Sequence, residues 1–216
     1  MVIELPGRAS GAVGRRLLIL GVVLLLAGCA TGAPQRGAQV TLRPGPQQPP
    51  THQVVGEAIV ASLGGVSVTV RWLPQEAVES YYASRPGLVS PWPRDLWKDA
   101  PPTAFLLRLR NLTRDEVQFD PGLAGLVTQD GQRERAVPYE ELYMRLAEAE
   151  DPEPRLRSLQ ATLFSRFIVV QPGGQREGIL LFPTLPPEAK HLHLELVSFF
   201  VGGKNAPGRF EFQVLR

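Results

Sequence analysis

His191 and His193 stand two positions apart, a spacing that projects both imidazoles from one face of a strand. Two such rings can share a metal ion, or hold a sugar or phosphate. A third ligand would have to come from elsewhere, with Glu188 and Glu195 the nearest candidates. Two ligands make an incomplete zinc site, so the bland reading, which we favour, is a pair of exposed strand histidines. The only cysteine is Cys29, which rules out a disulfide within the chain and a multi-cysteine zinc centre. Its thiol is the one strong nucleophile. Asp115, Glu116 and Asp120 gather at a strand turn, but a calcium loop needs a denser run of oxygen ligands. The sequence has no Gly-x-Ser-x-Gly elbow, and Gly173-Gly174 opens no phosphate-binding helix. No enzyme and no cofactor is therefore expected. Tyr81, Tyr82, Trp92 and Trp97 form an aromatic group in a proline-rich stretch. Such rings offer large rigid contact area to a partner. The competing reading, which we favour, turns them inward as a cap on one end of the fold.

The surroundings of these residues narrow the choices. The chain has 216 residues, 44% of them hydrophobic and 20% charged, an ordinary globular balance. Glycine and proline, at 21 each, favour turns and short strands over long helices. The formal charge of +2 resides in the first 28 residues, where Arg8, Arg15 and Arg16 outnumber Glu4. The remainder holds 20 basic and 20 acidic residues and is formally neutral. A neutral body lacks the basic patch that nucleic acid requires, so no nucleic-acid partner is expected.

Arg15-Arg16 precede an apolar run from Leu17 to Ala27. A helix needs ~20 residues to span a bilayer core, so this run is too short, but it suits the apolar part of a signal peptide behind a basic flank. It ends in Leu26-Ala27-Gly28-Cys29, which resembles the lipobox of bacterial lipoproteins. The resemblance implies a signal peptide over 1–28, cleavage before Cys29, and a diacylglycerol on its sulfur with further acylation of the new amino group. Palmitate and similar chains would then anchor the protein, since two or more acyl chains hold a protein stably. Ala30 replaces the Asp that marks inner-membrane retention in enterobacteria-like sorting. That points to the outer membrane, facing the periplasm, if the envelope has two membranes.

Residues 29–52 are rich in Pro, Gly and Gln and read as a flexible tether. Residues 53–216 read as strands with one helical insertion at about 138–165. Val54 to Ala61 and Val66 to Leu73 flank a Gly64-Gly65 turn. Thr103 to Leu112 alternates most clearly, with Phe105, Leu107 and Leu109 on one side and Leu106, Arg108 and Arg110 on the other. Val117 to Phe119, Leu123 to Thr128 and Arg133 to Val137 follow, the last two joined by Asp130-Gly131. Pro138 with Glu140 and Glu141 starts a helix, and Asp151-Pro152-Glu153, with Asp151 as N-cap, starts another. Phe167 to Val170, Gly178 to Phe182, Leu192 to Phe200 and Phe210 to Leu215 complete the set, with Lys204 to Gly208 as the last turn.

About nine short strands with a helical hairpin inserted predict a β-sandwich of immunoglobulin-like type. Phe105 to Pro121, Leu126 to Gln132 and Val170 to Phe182 resemble a group of extracellular Ig-like lipoprotein domains: a strand ending in Asn, a hairpin with Asp-Gly, then a Pro-Gly turn before a Gly-hydrophobic strand. The resemblance implies a module that makes contacts or protects a surface. The expectation is a lipid-anchored, non-enzymatic binding or assembly protein of the cell envelope, with an envelope protein as partner. The alternative is a binding protein for a metal or small ligand that uses His191 and His193.

Overall fold

The computed structural model describes residues 40–48, 51–92 and 101–216. In chain order they form β1 (Thr41–Pro44), β2 (His52–Val55), β3 (Ala58–Leu63), β4 (Val66–Leu73) and α1 (Gln75–Ala83). Next come β5 (Thr103–Asn111), β6 (Val117–Phe119), a single 3-10 turn at Pro121–Leu123, β7 (Gly125–Thr128) and β8 (Arg133–Arg135). The insertion is α2 (Tyr139–Ala147) and α3 (Pro152–Thr162). The chain then returns to strands: β9 (Ile168–Val170), β10 (Gln175–Phe182), β11 (His191–Leu196), β12 (Phe199–Val201), β13 (Lys204–Asn205) and β14 (Gly208–Leu215). The fold is mainly β, as expected, and the strand pairs are antiparallel.

One sheet has the order β10-β5-β4-β3-β2, a second β1-β14-β11-β7-β8, and a third β13-β12-β6-β9. The second and third are joined by two chain segments. β6 runs on to β7 through the 3-10 turn, and β11 runs on to β12 through Val197-Ser198, with the Asp120 amide donating to the Ser198 carbonyl at 3.1 Å between them. Together they make one side of the sandwich, and the β10-β5-β4-β3-β2 sheet makes the other.

Period-two alternation explains the layering. Phe105, Leu107 and Leu109 on β5 are fully buried against the facing strands, while Arg108 and Arg110 are exposed. The Phe105 ring meets Phe212 of β14 at 5.1 Å and Phe182 of β10 at 6.0 Å between centroids. A second core lies on the other face of the same sheet. There Leu73, Ala104, Ile179 and Leu181 are covered by Tyr81 and Tyr82 of α1, Leu142 and Leu146 of α2, and Leu159 of α3. Truncating a fully buried leucine in either core to alanine costs about 2–5 kcal/mol.

Several boundaries differ from the sequence reading. Thr41–Pro44, inside the expected tether, pair with β14 from Thr41↔Leu215 to Pro44↔Phe212, and Leu42 is buried. His52 likewise leaves the tether to open β2. The run from Val54 to Ala61 is two strands, because Gly56 takes φ +61° and reverses the chain. The run from Leu192 to Phe200 is also two, since Val197-Ser198 moves the chain between sheets. The last turn sits at Gly202-Gly203, both at positive φ, with Lys204–Asn205 already a strand. Asp151 does occupy the N-cap of α3, but at φ 53° and without a side-chain cap bond. These extra breaks turn about nine strands into fourteen among the described residues.

Candidate functional site

The face of β14, β11, β7 and β8 that points away from the core carries most of the polar chemistry. Cross-strand register sets His191 opposite Gln213, His193 opposite Glu211 and Glu195 opposite Arg209. On the other side His193 faces Val127, which in turn pairs with Arg133. Within this lattice His193 Nε2 lies 3.0 Å from Glu195 Oε1. The other Glu195 oxygen accepts from the Arg133 guanidinium. Arg209 Nε donates to Glu211 at 2.7 Å. Burial alone would raise the Glu195 carboxyl, but the hydrogen bonds and charge of Arg133 and His193 hold it below the ordinary carboxylate value. The Arg133 guanidinium also roofs Gly125, where any Cβ would sit 2.3 Å from its central carbon.

The expected same-face placement of His191 and His193 is what the strand provides, but the two differ in surroundings. His191 is exposed beside a shallow hollow of about 830 Å³ shared with Pro46, Arg209 and Phe212. His193 is engaged with Glu195, its side chain only 12% exposed. Glu188 lies beyond the start of β11 and its carbonyl accepts from Gln129. Among the described residues no three His, Cys, Asp or Glu side chains are grouped to hold a metal.

Tyr81, Tyr82 and Trp92 of the aromatic group turn inward, as the favoured reading has them. Tyr81, Tyr82 and Trp92 are 7%, 1% and 8% exposed, because α1 and the segment after it lie against the helical insertion. The Tyr82 hydroxyl shares a buried 2.7 Å hydrogen bond with Thr162 of α3, and burial pushes its pKa far above the ordinary tyrosine value. Arg85 sits 3.6 Å from the Tyr81 ring centre and seals the cluster from outside. Trp97 and Cys29 lie outside the described residues, as do the expected signal peptide over 1–28 and residues 29–39 of the expected tether. Asp115, Glu116 and Asp120 make local turn contacts. Glu116 accepts from Gln118 and Gln171, each at 2.9 Å, and Asp120 from the Gly122 amide.

Two features carry no sequence signal. The first is His52, 8% exposed, whose ring packs against Phe210 at 5.1 Å and whose Nε2 is buried without a partner. Burial lowers its pKa. The second is a groove of about 850 Å³ between β9 and β10. Glu177 on its wall accepts from Arg85 at 2.7 Å and from Arg108 at 2.6 Å. Arg176 is exposed beside it, and Phe167 and Val169 stand 57% and 37% exposed. These residues lie far apart in sequence, and only the pairing of β10 with β5 brings Arg108 to Glu177. No helix of the described residues is long and apolar enough to cross a membrane. Comparison with protein-family models, with curated proteins and with solved structures finds no match to the chain.

Proposed function

We propose that this protein is a lipid-anchored component of the bacterial cell envelope whose Ig-like β-sandwich is a non-enzymatic binding or assembly module. The observation that carries the reading is the run from Arg15 to Cys29: a basic pair, a short apolar stretch and the Leu26-Ala27-Gly28-Cys29 sequence. A lipid on Cys29 places the folded part at a membrane surface, facing the periplasm from the outer membrane if there are two membranes. The start of β1 at Thr41 limits how far it can stand off. The chain from Cys29 to that strand reaches at most roughly 40 Å when fully extended. That reach, with the folded body beyond it, suits an assembly role within the envelope. The module reading draws on the exposed sheet edges and the exposed apolar side chains near β9, both features that favour contact with another chain.

Growth of an expressing bacterium with radioactive palmitate tests the anchor. The wild-type chain takes up label and is processed, whereas Cys29→Ser keeps its leader and stays unlabelled. An unlabelled wild-type chain overturns the proposal.

A further inference from the structure

β10 is an edge strand, and its free side is only partly covered. The Ile179 carbonyl accepts from the Phe164 amide at 2.9 Å and the Leu181 carbonyl from the Val137 amide at 2.7 Å. Residues of the same parity point their backbone groups the same way, so Gln175 and Glu177 present N–H and C=O groups outward along the same edge. Among the described residues no strand pairs with them. Phe164 closes the upper end by lying over Gly178. The open stretch faces the groove between β9 and β10.

We infer that this groove takes an extended, acidic segment of a partner protein, which adds as a short strand to the Gln175–Glu177 edge of β10. The inference rests on the module reading above. Charge complementarity selects the occupant. On the face of β10 that carries Glu177, Arg85 and Arg108 share that one carboxylate and already take its two oxygens, while Arg176 stands on the opposite face of the strand. The surplus is positive, and Arg110 opposite Gln175 adds to it. Charged residues on an edge also serve as a guard against unwanted pairing. A guard alone leaves no place for Phe167 and Val169, which expose apolar surface beside the same edge. An added strand alternates its side chains, so glutamates on one side meet the arginines while apolar residues on the other cover Phe167 and Val169. A second copy of this chain is a poorer occupant, because it brings the same cationic edge.

The test uses the full chain in detergent micelles and two short labelled peptides, one alternating valine with glutamate and one alternating valine with lysine. Fluorescence anisotropy reads affinity, and hydrogen exchange reads the Gln175 and Glu177 amides. The glutamate peptide binds and slows exchange at those two amides, and the lysine peptide binds at least about tenfold more weakly. Arg110→Glu, at an exposed position opposite Gln175 on the Glu177 face, weakens the glutamate peptide by about the same factor. Arg43→Glu makes the same charge change at an exposed position on the edge strand β1, at the opposite end of its sheet from β8, and leaves binding unchanged. Binding of neither peptide, equal binding of both, equal loss in the two variants or protection at another edge overturns the inference. So does protection of both amides before peptide is added, with sedimentation showing a dimer, since a second copy then fills the edge. Cys29→Ser binds the glutamate peptide as the wild type does. A failed anchor therefore leaves the peptide result standing, and a failed peptide result leaves the anchor standing.

Discussion

Asn111 ends β5 and is fully buried, and it spends its side-chain hydrogen-bonding capacity on the following turn and on Val170 of β9. Its Nδ2 donates to the Asp115 carbonyl at 2.7 Å and to the Val170 carbonyl at 3.0 Å, and its Oδ1 accepts from the Thr113 amide and hydroxyl. A buried amide so fully satisfied fixes a turn, because breaking any one of these hydrogen bonds leaves a group unpaired at about 1–3 kcal/mol. His52 is the opposite case, with a buried ring nitrogen left over. Above its ordinary pKa of 6.5 the ring is neutral folded or unfolded, and titration adds nothing to stability. Below that value the unfolded chain takes the proton more readily than the native one, so stability is lost as pH falls. The wild type therefore loses more melting temperature between about pH 7.5 and about pH 5 than His52→Leu does. Equal losses in the two proteins remove His52 as the cause. At neutral pH His52→Leu melts no lower, since the substitution removes an unpaired polar atom and keeps the packing against Phe210.

The segment that leaves α3 acts as a strap over the edge of β10. Leu163 packs into the helical core and bridges to Ile179, while Phe164 turns to the other side and lies on Gly178. Glycine is required there by close approach, since an added Cβ would sit 2.2 Å from the Phe164 ring. Gly178→Ala therefore lowers stability by about 1–3 kcal/mol, and Phe164→Leu in the same chain recovers part of it. Urea midpoints for the two single variants and the double variant measure the coupling. Additive losses show that the ring and the glycine do not meet. The Gly178-hydrophobic pattern was legible in the sequence as a strand after a turn. The ring that demands the glycine was not, because Phe164 falls within the expected helical insertion at about 138–165 and its contact with Gly178 is set by tertiary packing.

For the folded unit as a whole, the β10-β5-β4-β3-β2 sheet is the middle layer, with a strand layer on one face and the helices on the other. A middle sheet needs apolar side chains on both faces. Leu181 and Ile179 serve the helical side, and Leu180 and Phe182 serve the sandwich. That is why β10 reads as a continuous apolar run and not as an alternation. β1 closes the far edge of the opposite sheet. A chain beginning at Ala38 keeps it, whereas one beginning at Pro46 exposes β14 and loses the burial of Leu42. The shorter chain should be less stable by about 2–4 kcal/mol in urea unfolding. Indistinguishable midpoints place β1 outside the cooperative unit.

The sequence alone determined the strand-rich class, most strand positions, the Asp130-Gly131 hairpin and the helical insertion. Each is written in nearest neighbours, through side-chain period or turn chemistry, and needs no distant partner. Tertiary structure alone decided that Tyr81, Tyr82 and Trp92 face inward, that Thr41–Pro44 pair as a strand, and that Arg85, Arg108 and Glu177 meet. Those outcomes depend on which surface lies opposite. A tyrosine is equally at home in a core or in an interface, and a proline-rich stretch pairs only when another strand offers it an edge.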